Sequence, residues 1–120
     1  MAEVTSSEYA EGRVLQMEDA SHIRPEWLET FAYEGPRQRV MYQMNEFAAV
    51  CPFSGLPDTG LVWVEYVPRH KLVELKSLKY YFISYRNVGI FQEAVTARIF
   101  EDLWRLLEPE WLQIKTSYAT

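Results

Sequence analysis

The spacing of apolar residues changes period twice along this chain, and the order of those changes constrains the fold more than any other feature. From Arg39 the period is two. Val40, Tyr42 and Met44 alternate with Met41, Gln43 and Asn45, which predicts a strand reaching about Ala49. Cys51 to Gly60 contains two Pro and two Gly and reads as a loop. Leu61 to Val67, Leu-Val-Trp-Val-Glu-Tyr-Val, is β-branched and aromatic and predicts a second strand, antiparallel to the first across that loop. The period then becomes helical. Leu72, Leu75, Leu78, Phe82 and Tyr85 predict an amphipathic helix from about Leu72 to Arg86, stopped by Asn87-Val88-Gly89. Phe91 to Leu107 is a second helix, with Val95, Ile99, Leu103, Leu106 and Leu107 on one face and Glu101, Asp102 and Arg105 on another; Pro109 ends it. Trp111 to Tyr118 alternates again as a third strand.

Strand, strand, helix, helix, strand is an α+β order: an antiparallel sheet with two helices packed on one face. Its last strand is left as an exposed edge, so the sequence implies either a second subunit against that edge or a chain that continues past Thr120. Residues 1–24 are polar with scattered apolar positions such as Val14, Leu15 and Met17, and Pro25 opens a short helix over Glu26 to Thr30. The expected organisation is an N-terminal extension over 1–30 and one domain over 31–120. With 12 basic and 17 acidic residues the net charge is −5, which excludes nucleic-acid binding driven by bulk positive charge. One cysteine excludes an internal disulfide. The acidic, polar start, Met-Ala-Glu-Val-Thr-Ser-Ser-Glu, is unlike a secretory signal, and no apolar run approaches membrane-helix length, so the expectation is a soluble cytosolic protein without a membrane partner.

Few residues are placed to do chemistry. Cys51 stands at a strand end before the Pro/Gly loop, a setting that suits either a small buried hydrophobe or a partly exposed thiol. Asp58 lies seven positions on; a loop that reverses direction brings its ends together, so Asp58 is either a turn residue or a proton donor for Cys51. Lys76 and Lys79 share the polar face of the first helix, as a solvated surface or a phosphate-binding pair. Glu93 suits the positive end of the second helix, and would equally accept two N–H groups of a planar heterocycle while Phe91 stacks on it. His22 and His70 lack metal spacing, so no metal is expected, and no glycine-rich dinucleotide loop is present, so a nicotinamide cofactor would not sit on a Rossmann fold.

Taken in order, Cys-Pro-Phe-Ser-Gly-Leu-Pro-Asp (51–58), Glu-Leu-Lys-Ser-Leu-Lys-Tyr-Tyr (74–81), Ser-Tyr-Arg-Asn (84–87) and Phe-Gln-Glu (91–93) closely resemble the 7-cyano-7-deazaguanine reductases. These form the short, single-module branch of the QueF nitrile oxidoreductases, and the resemblance runs from about Phe31 to Thr120. It implies the tunnelling fold, in which small antiparallel-sheet subunits join into rings with active sites at their interfaces, as a decamer of two pentamers. It implies reduction of a nitrile to a primary amine with two NADPH, giving 7-aminomethyl-7-deazaguanine for the queuosine modification of tRNA, without direct contact to nucleic acid. By position, Cys51 would be the nucleophile that forms a thioimide and Asp58 the proton donor. Val73, Glu74, Leu75, Phe91, Gln92 and Glu93 would hold the deazaguanine, and Lys76 and Lys79 the NADPH phosphates. Gln92 stands where many members have His, and the family usually continues beyond the third strand with an Arg-Gly-Gly segment and a fourth strand.

Two other readings of the same residues stay open at this point. One is an amidinotransferase-like relative that uses the Cys–nitrile adduct on tRNA without a hydride step. The other is a non-catalytic ring-forming or purine- or pterin-binding module of the tunnelling fold, which would not need both Cys51 and Asp58.

Overall fold

Two strands of eleven residues carry the architecture. β2 (Val40–Val50) and β3 (Pro57–Val67) pair antiparallel from Val40 opposite Tyr66 to Val50 opposite Pro57. The chain is described here over residues 17–119 of a computed structural model. β5 (Trp111–Tyr118) pairs antiparallel on the other side of β3, with Gly60 opposite Tyr118 and Val67 opposite Trp111, so the sheet order is β2-β3-β5 with β3 central. A β-bulge between Met44 and Phe47 adds a residue to β2 and lets Phe47 and Ala49 keep pointing to the same face as Val62 and Val64. That face is buried: Phe47, Ala49, Val62 and Val64 are each 1% exposed.

α1 (Leu75–Ile83) and α2 (Gln92–Leu107) cover it. α1 contributes Leu78, Tyr81 and Phe82, and α2 contributes Val95, Ile99, Leu103 and Leu107, to one core cluster with the sheet. Burying such side chains is worth roughly 1.5–3 kcal/mol each before chain entropy is counted. The opposite sheet face, with Met41 and Gln43 exposed, is left uncovered by helices. The expected antiparallel α+β arrangement is therefore present, and the bounds of β2, β5 and α2 match the periodicity closely. No helix among the described residues is long and apolar enough to cross a membrane.

Four local expectations are corrected. The helix expected over Glu26 to Thr30 is a single 3-10 turn, Pro25–Trp27, followed by β1 (Thr30–Ala32). The helix expected from Leu72 begins at Leu75, because Lys71–Val73 form β4, paired antiparallel with β1, and Glu74 then caps α1. It also ends at Ile83 rather than Arg86. The loop expected over 51–60 closes by Leu56, and Pro57 to Gly60 already belong to β3. Pro57 is tolerated as the first residue of a strand, and Gly60 is required: a Cβ there would lie 2.1 Å from the Ser117 carbonyl oxygen on β5.

The stretch read as part of an extension packs into the domain. Ile23 is 2% exposed and Leu28 8%, both in the core cluster. The Arg24 and Glu29 amides donate to the hydroxyls of Ser84 and Ser77. Val14 and Leu15 lie outside the described residues.

Candidate active site

Cys51 follows β2 directly, in a turn fixed by two backbone hydrogen bonds: the Cys51 amide donates to the Leu56 carbonyl (2.9 Å) and the Cys51 carbonyl accepts from the Gly55 amide (2.8 Å). Gly55 has φ of 74°, the left-handed region where glycine has no steric cost. This tight turn curls the amides of Phe53 and Ser54 and the Ser54 hydroxyl toward the half-buried sulfur. The Ser54 hydroxyl, then the two amides, hold the thiol below its ordinary pKa, while slight burial and the nearby Asp58 carboxylate act in the opposite direction. That lowering comes from the loop's own donors rather than from a neighbouring cation.

Asp58 stands on the opposite strand of the hairpin mouth, within electrostatic reach of that sulfur. It pairs with Ala49, two residues before Cys51, and lies on the helix-covered face with Gly60, Val62 and Val64, because alternate residues of a strand share a face. A third segment arrives by a separate route. Val50 donates to the Val88 carbonyl (2.9 Å) and accepts from the Ile90 amide (3.0 Å), so residues 88–90 run parallel to the end of β2. Phe91, the N-cap of α2, and Gln92 and Glu93 in its first turn follow immediately. Phe91 is 57% exposed and Glu93 is exposed, one ring face and one carboxylate on the positive end of a sixteen-residue helix. Burial, then Asp58, then Glu93 push the Tyr118 phenol up to about 12, so both carboxylates lie within electrostatic reach of one hydroxyl.

The structure therefore brings together Cys51, Asp58, Phe91, Gln92 and Glu93, and keeps the remaining candidates apart from them. Val73 donates its amide to the Tyr66 hydroxyl (3.1 Å) at the other end of β3. Asp58 and Tyr66 are eight residues apart along β3, roughly 26 Å of extended chain. Val73 itself is 1% exposed, so its side chain belongs to the core. Glu74 uses both carboxylate oxygens to cap α1, accepting from the Lys76 and Ser77 amides at 2.8 Å each. Leu75, Lys76 and Lys79 are exposed on α1, and neither lysine is in an ion pair among the described residues. Lys76 flanks an open groove of about 730 Å³ that also carries Trp27, Glu74 and Tyr80, with the Lys76 ammonium 6.0 Å from the Tyr80 ring centre.

Beneath the site lies a polar cluster that the sequence placed on the solvent face. Asp102 is 8% exposed, not on an outer charged stripe. Its Oδ2 accepts from the Tyr81 hydroxyl (2.6 Å) and from Arg98 Nε (2.8 Å), and the Tyr81 and Tyr85 hydroxyls are 2.7 Å apart. Burial and neighbouring negative groups hold both tyrosines well above the usual phenol range, so they remain hydrogen-bond donors. Sequence periodicity could not reveal this, because Tyr81 and Asp102 come from different helices. Ser54 was missed as well; the signal for it is a hydroxyl three residues after a cysteine in a Gly-closed turn.

Comparison with known proteins covers up to 91% of this chain. The QueF family model, described as QueF-like protein, matches residues 57–120. The NADPH-dependent 7-cyano-7-deazaguanine reductase of Thermotoga maritima is 49% identical over 110 residues, covering 91% of this chain and 80% of that protein. The protein of the same name from Caldicellulosiruptor bescii is 52% identical over 94 residues, covering 77% of this chain and 72% of its own. Among solved structures, the apo crystal structure of the archaeosine synthase QueF-Like superposes with a TM-score of 0.63 at 24% identity, over 72% of this chain and 85% of that one, a likeness of fold.

Proposed function

The chain belongs to the QueF family, and from that membership we propose that it is an NADPH-dependent reductase that converts the nitrile of 7-cyano-7-deazaguanine to the primary amine of 7-aminomethyl-7-deazaguanine. The single observation that carries the reading to this chain's own residues is the hairpin mouth. There a thiol whose pKa is lowered by Ser54 and two amides stands across a turn from Asp58, with Phe91 and Glu93 led in alongside.

Each residue has a role in that chemistry. Cys51 adds through sulfur to the nitrile carbon; a proton passes to the nitrile nitrogen, and Asp58 is the group placed to deliver it. The product is a thioimide, the S–H bond having added across the carbon–nitrogen triple bond with no change in oxidation state. Phe91 offers a ring face to the heterocycle, and Gln92 and Glu93 accept its N–H groups. Reduction to the amine needs two hydrides, and NADPH when bound supplies them. After the first hydride Cys51 leaves as thiolate, held by the same donors that lower its pKa, and the imine that remains takes the second.

The residues present fit such a cofactor. Lys76 and Lys79 offer two ammonium groups without carboxylate partners among the described residues, suited to phosphate, and Trp27 and Tyr80 offer exposed rings beside them. Within one chain, however, they sit at the opposite end of the sheet from Cys51. A ring in which the Cys51 end of one subunit meets the α1 end of the next would join them. Phe53 (93% exposed) and Leu56 (61%) at the first end, and Leu75 (43%) and Tyr80 (51%) at the second, are the apolar residues such a contact would cover. A decamer of two pentamers belongs to the same reading.

The test is NADPH oxidation by the purified protein with 7-cyano-7-deazaguanine. Two equivalents consumed per nitrile support the reductase. A covalent adduct without oxidation would instead favour the amidinotransferase-like reading.

A further inference from the structure

The Tyr118 hydroxyl is buried and, among the described residues, has no hydrogen-bond partner; it is the one side-chain polar atom in that condition. A buried donor left unpaired is unfavourable, and native proteins keep few of them. This one is fixed in place from three directions. Tyr118 pairs with Gly60, whose lack of a side chain lets β5 approach β3 closely. Two residues earlier, the Thr116 hydroxyl lies 2.7 Å from that of Thr96, which ties the first turns of α2 over the end of β5. On β3, Asp58 occupies the diagonal position on the same face, two residues from Gly60. The charged or titratable groups around the hydroxyl are Asp58 from β3, Glu93 from α2 and Tyr85 from the segment after α1.

We propose that Tyr118 is a positioning residue acting through Asp58: its hydroxyl, without a hydrogen-bond partner among the described residues, donates to the Asp58 carboxylate that is left as Asp58 passes a proton to the nitrile nitrogen. The inference rests on the site reading above, in which Asp58 is the proton donor. A donor unused before the proton moves and used as negative charge develops stabilises the transition state without tightening substrate binding. Bonds balance: the Cys51 thiolate adds to the carbon of C≡N to form S–C, the Asp58 O–H breaks as N–H forms, the charge passes from sulfur to the Asp58 carboxylate, and Tyr118 keeps its own proton. The high phenol pKa, about 12, keeps Tyr118 protonated throughout.

The experiment times the covalent adduct of the full, assembled protein with 7-cyano-7-deazaguanine by intact mass, without NADPH, for wild type, Tyr118→Phe, Asp58→Asn and the double variant. Tyr118→Phe should slow adduct formation at saturating nitrile about tenfold, with the half-saturating concentration unchanged. Its melting temperature should not fall, because the lost hydroxyl made no hydrogen bond. In the Asp58→Asn background the second substitution should have no further effect. If Asp58→Asn is too slow to time, the split between rate and half-saturation in Tyr118→Phe alone decides the matter. An unchanged rate overturns the proposal. So does a raised half-saturation at unchanged rate, which would assign the hydroxyl to heterocycle binding beside Glu93, and so does a lowered melting temperature that accounts for the loss. A wild-type protein that forms no adduct overturns the site reading itself, a result distinct from all of these.

Discussion

Two polar clusters lie under α2, and they differ in how completely their groups are paired. In the Arg98–Asp102–Tyr81–Tyr85 cluster each named group has a partner at 2.6–2.8 Å. In the Cys51–Asp58–Tyr118 cluster a hydroxyl is unpaired, a thiol has a lowered pKa and Asp58 lies within electrostatic reach of both. Closed networks rigidify a core, because every buried donor and acceptor is answered. Open ones hold chemistry in reserve, at a cost in stability that the rest of the fold must offset. α2 contributes to both, Arg98 and Asp102 to the closed network and Glu93 and Thr96 beside the open one, which makes it both a structural wall and a support of the candidate site.

If that contrast is right, substitutions in the open cluster remove activity and leave stability, while those in the closed one do the reverse. Cys51→Ala should lower kcat by more than about 10³-fold, the scale on which covalent nucleophiles fail. It should leave the melting temperature and nitrile binding intact, checked by calorimetry. Asp102→Ala should destabilise the fold by about 2 kcal/mol, because it removes the acceptor of the Tyr81 hydroxyl in the core and leaves the half-buried Arg98 guanidinium unpaired. Urea denaturation measures it, and an unchanged midpoint would refute the closed-network role. A smaller effect belongs to the far end of the sheet: Lys76→Ala and Lys79→Ala should raise the NADPH KM about tenfold each, losing a charge-assisted contact to phosphate. The nitrile KM should move little, and equal effects on both substrates would remove the phosphate assignment. Smallest of all is Ser54→Ala. The Ser54 hydroxyl is the first cause of the lowered Cys51 pKa, and it favours the charged form, so its loss must move the thiol pKa upward. The pH profile of alkylation by iodoacetamide should shift to higher pH by that amount, and no shift would show that the turn amides alone hold the thiolate.

How much of this the residues disclosed beforehand depends on range. β2, β5 and α2 were legible because their apolar periods persist for eight or more residues and end at clear breakers. β1 and β4 were not. Three residues carry no period, and Leu72 fits the helical spacing of Leu75 and Leu78 until its pairing with Phe31 is known. Pro57 to Gly60 read as loop because Pro and Gly punctuate chains, yet Gly60 is there so that a second strand can come close. The candidate site shows the same division. Cys51, Asp58 and Glu93 are carried by short motifs, whereas Tyr118 joins them only through the β3–β5 register, and Asp102 turns inward only because Tyr81 and Arg98 meet it there.

The most direct test of the central claim is the intact mass of the protein after incubation with 7-cyano-7-deazaguanine, followed by addition of NADPH. The account expects a one-to-one adduct that localises to Cys51, is absent in Cys51→Ala, and disappears with release of the amine when NADPH is added. No adduct, one on another residue, or one that NADPH leaves unchanged would contradict it.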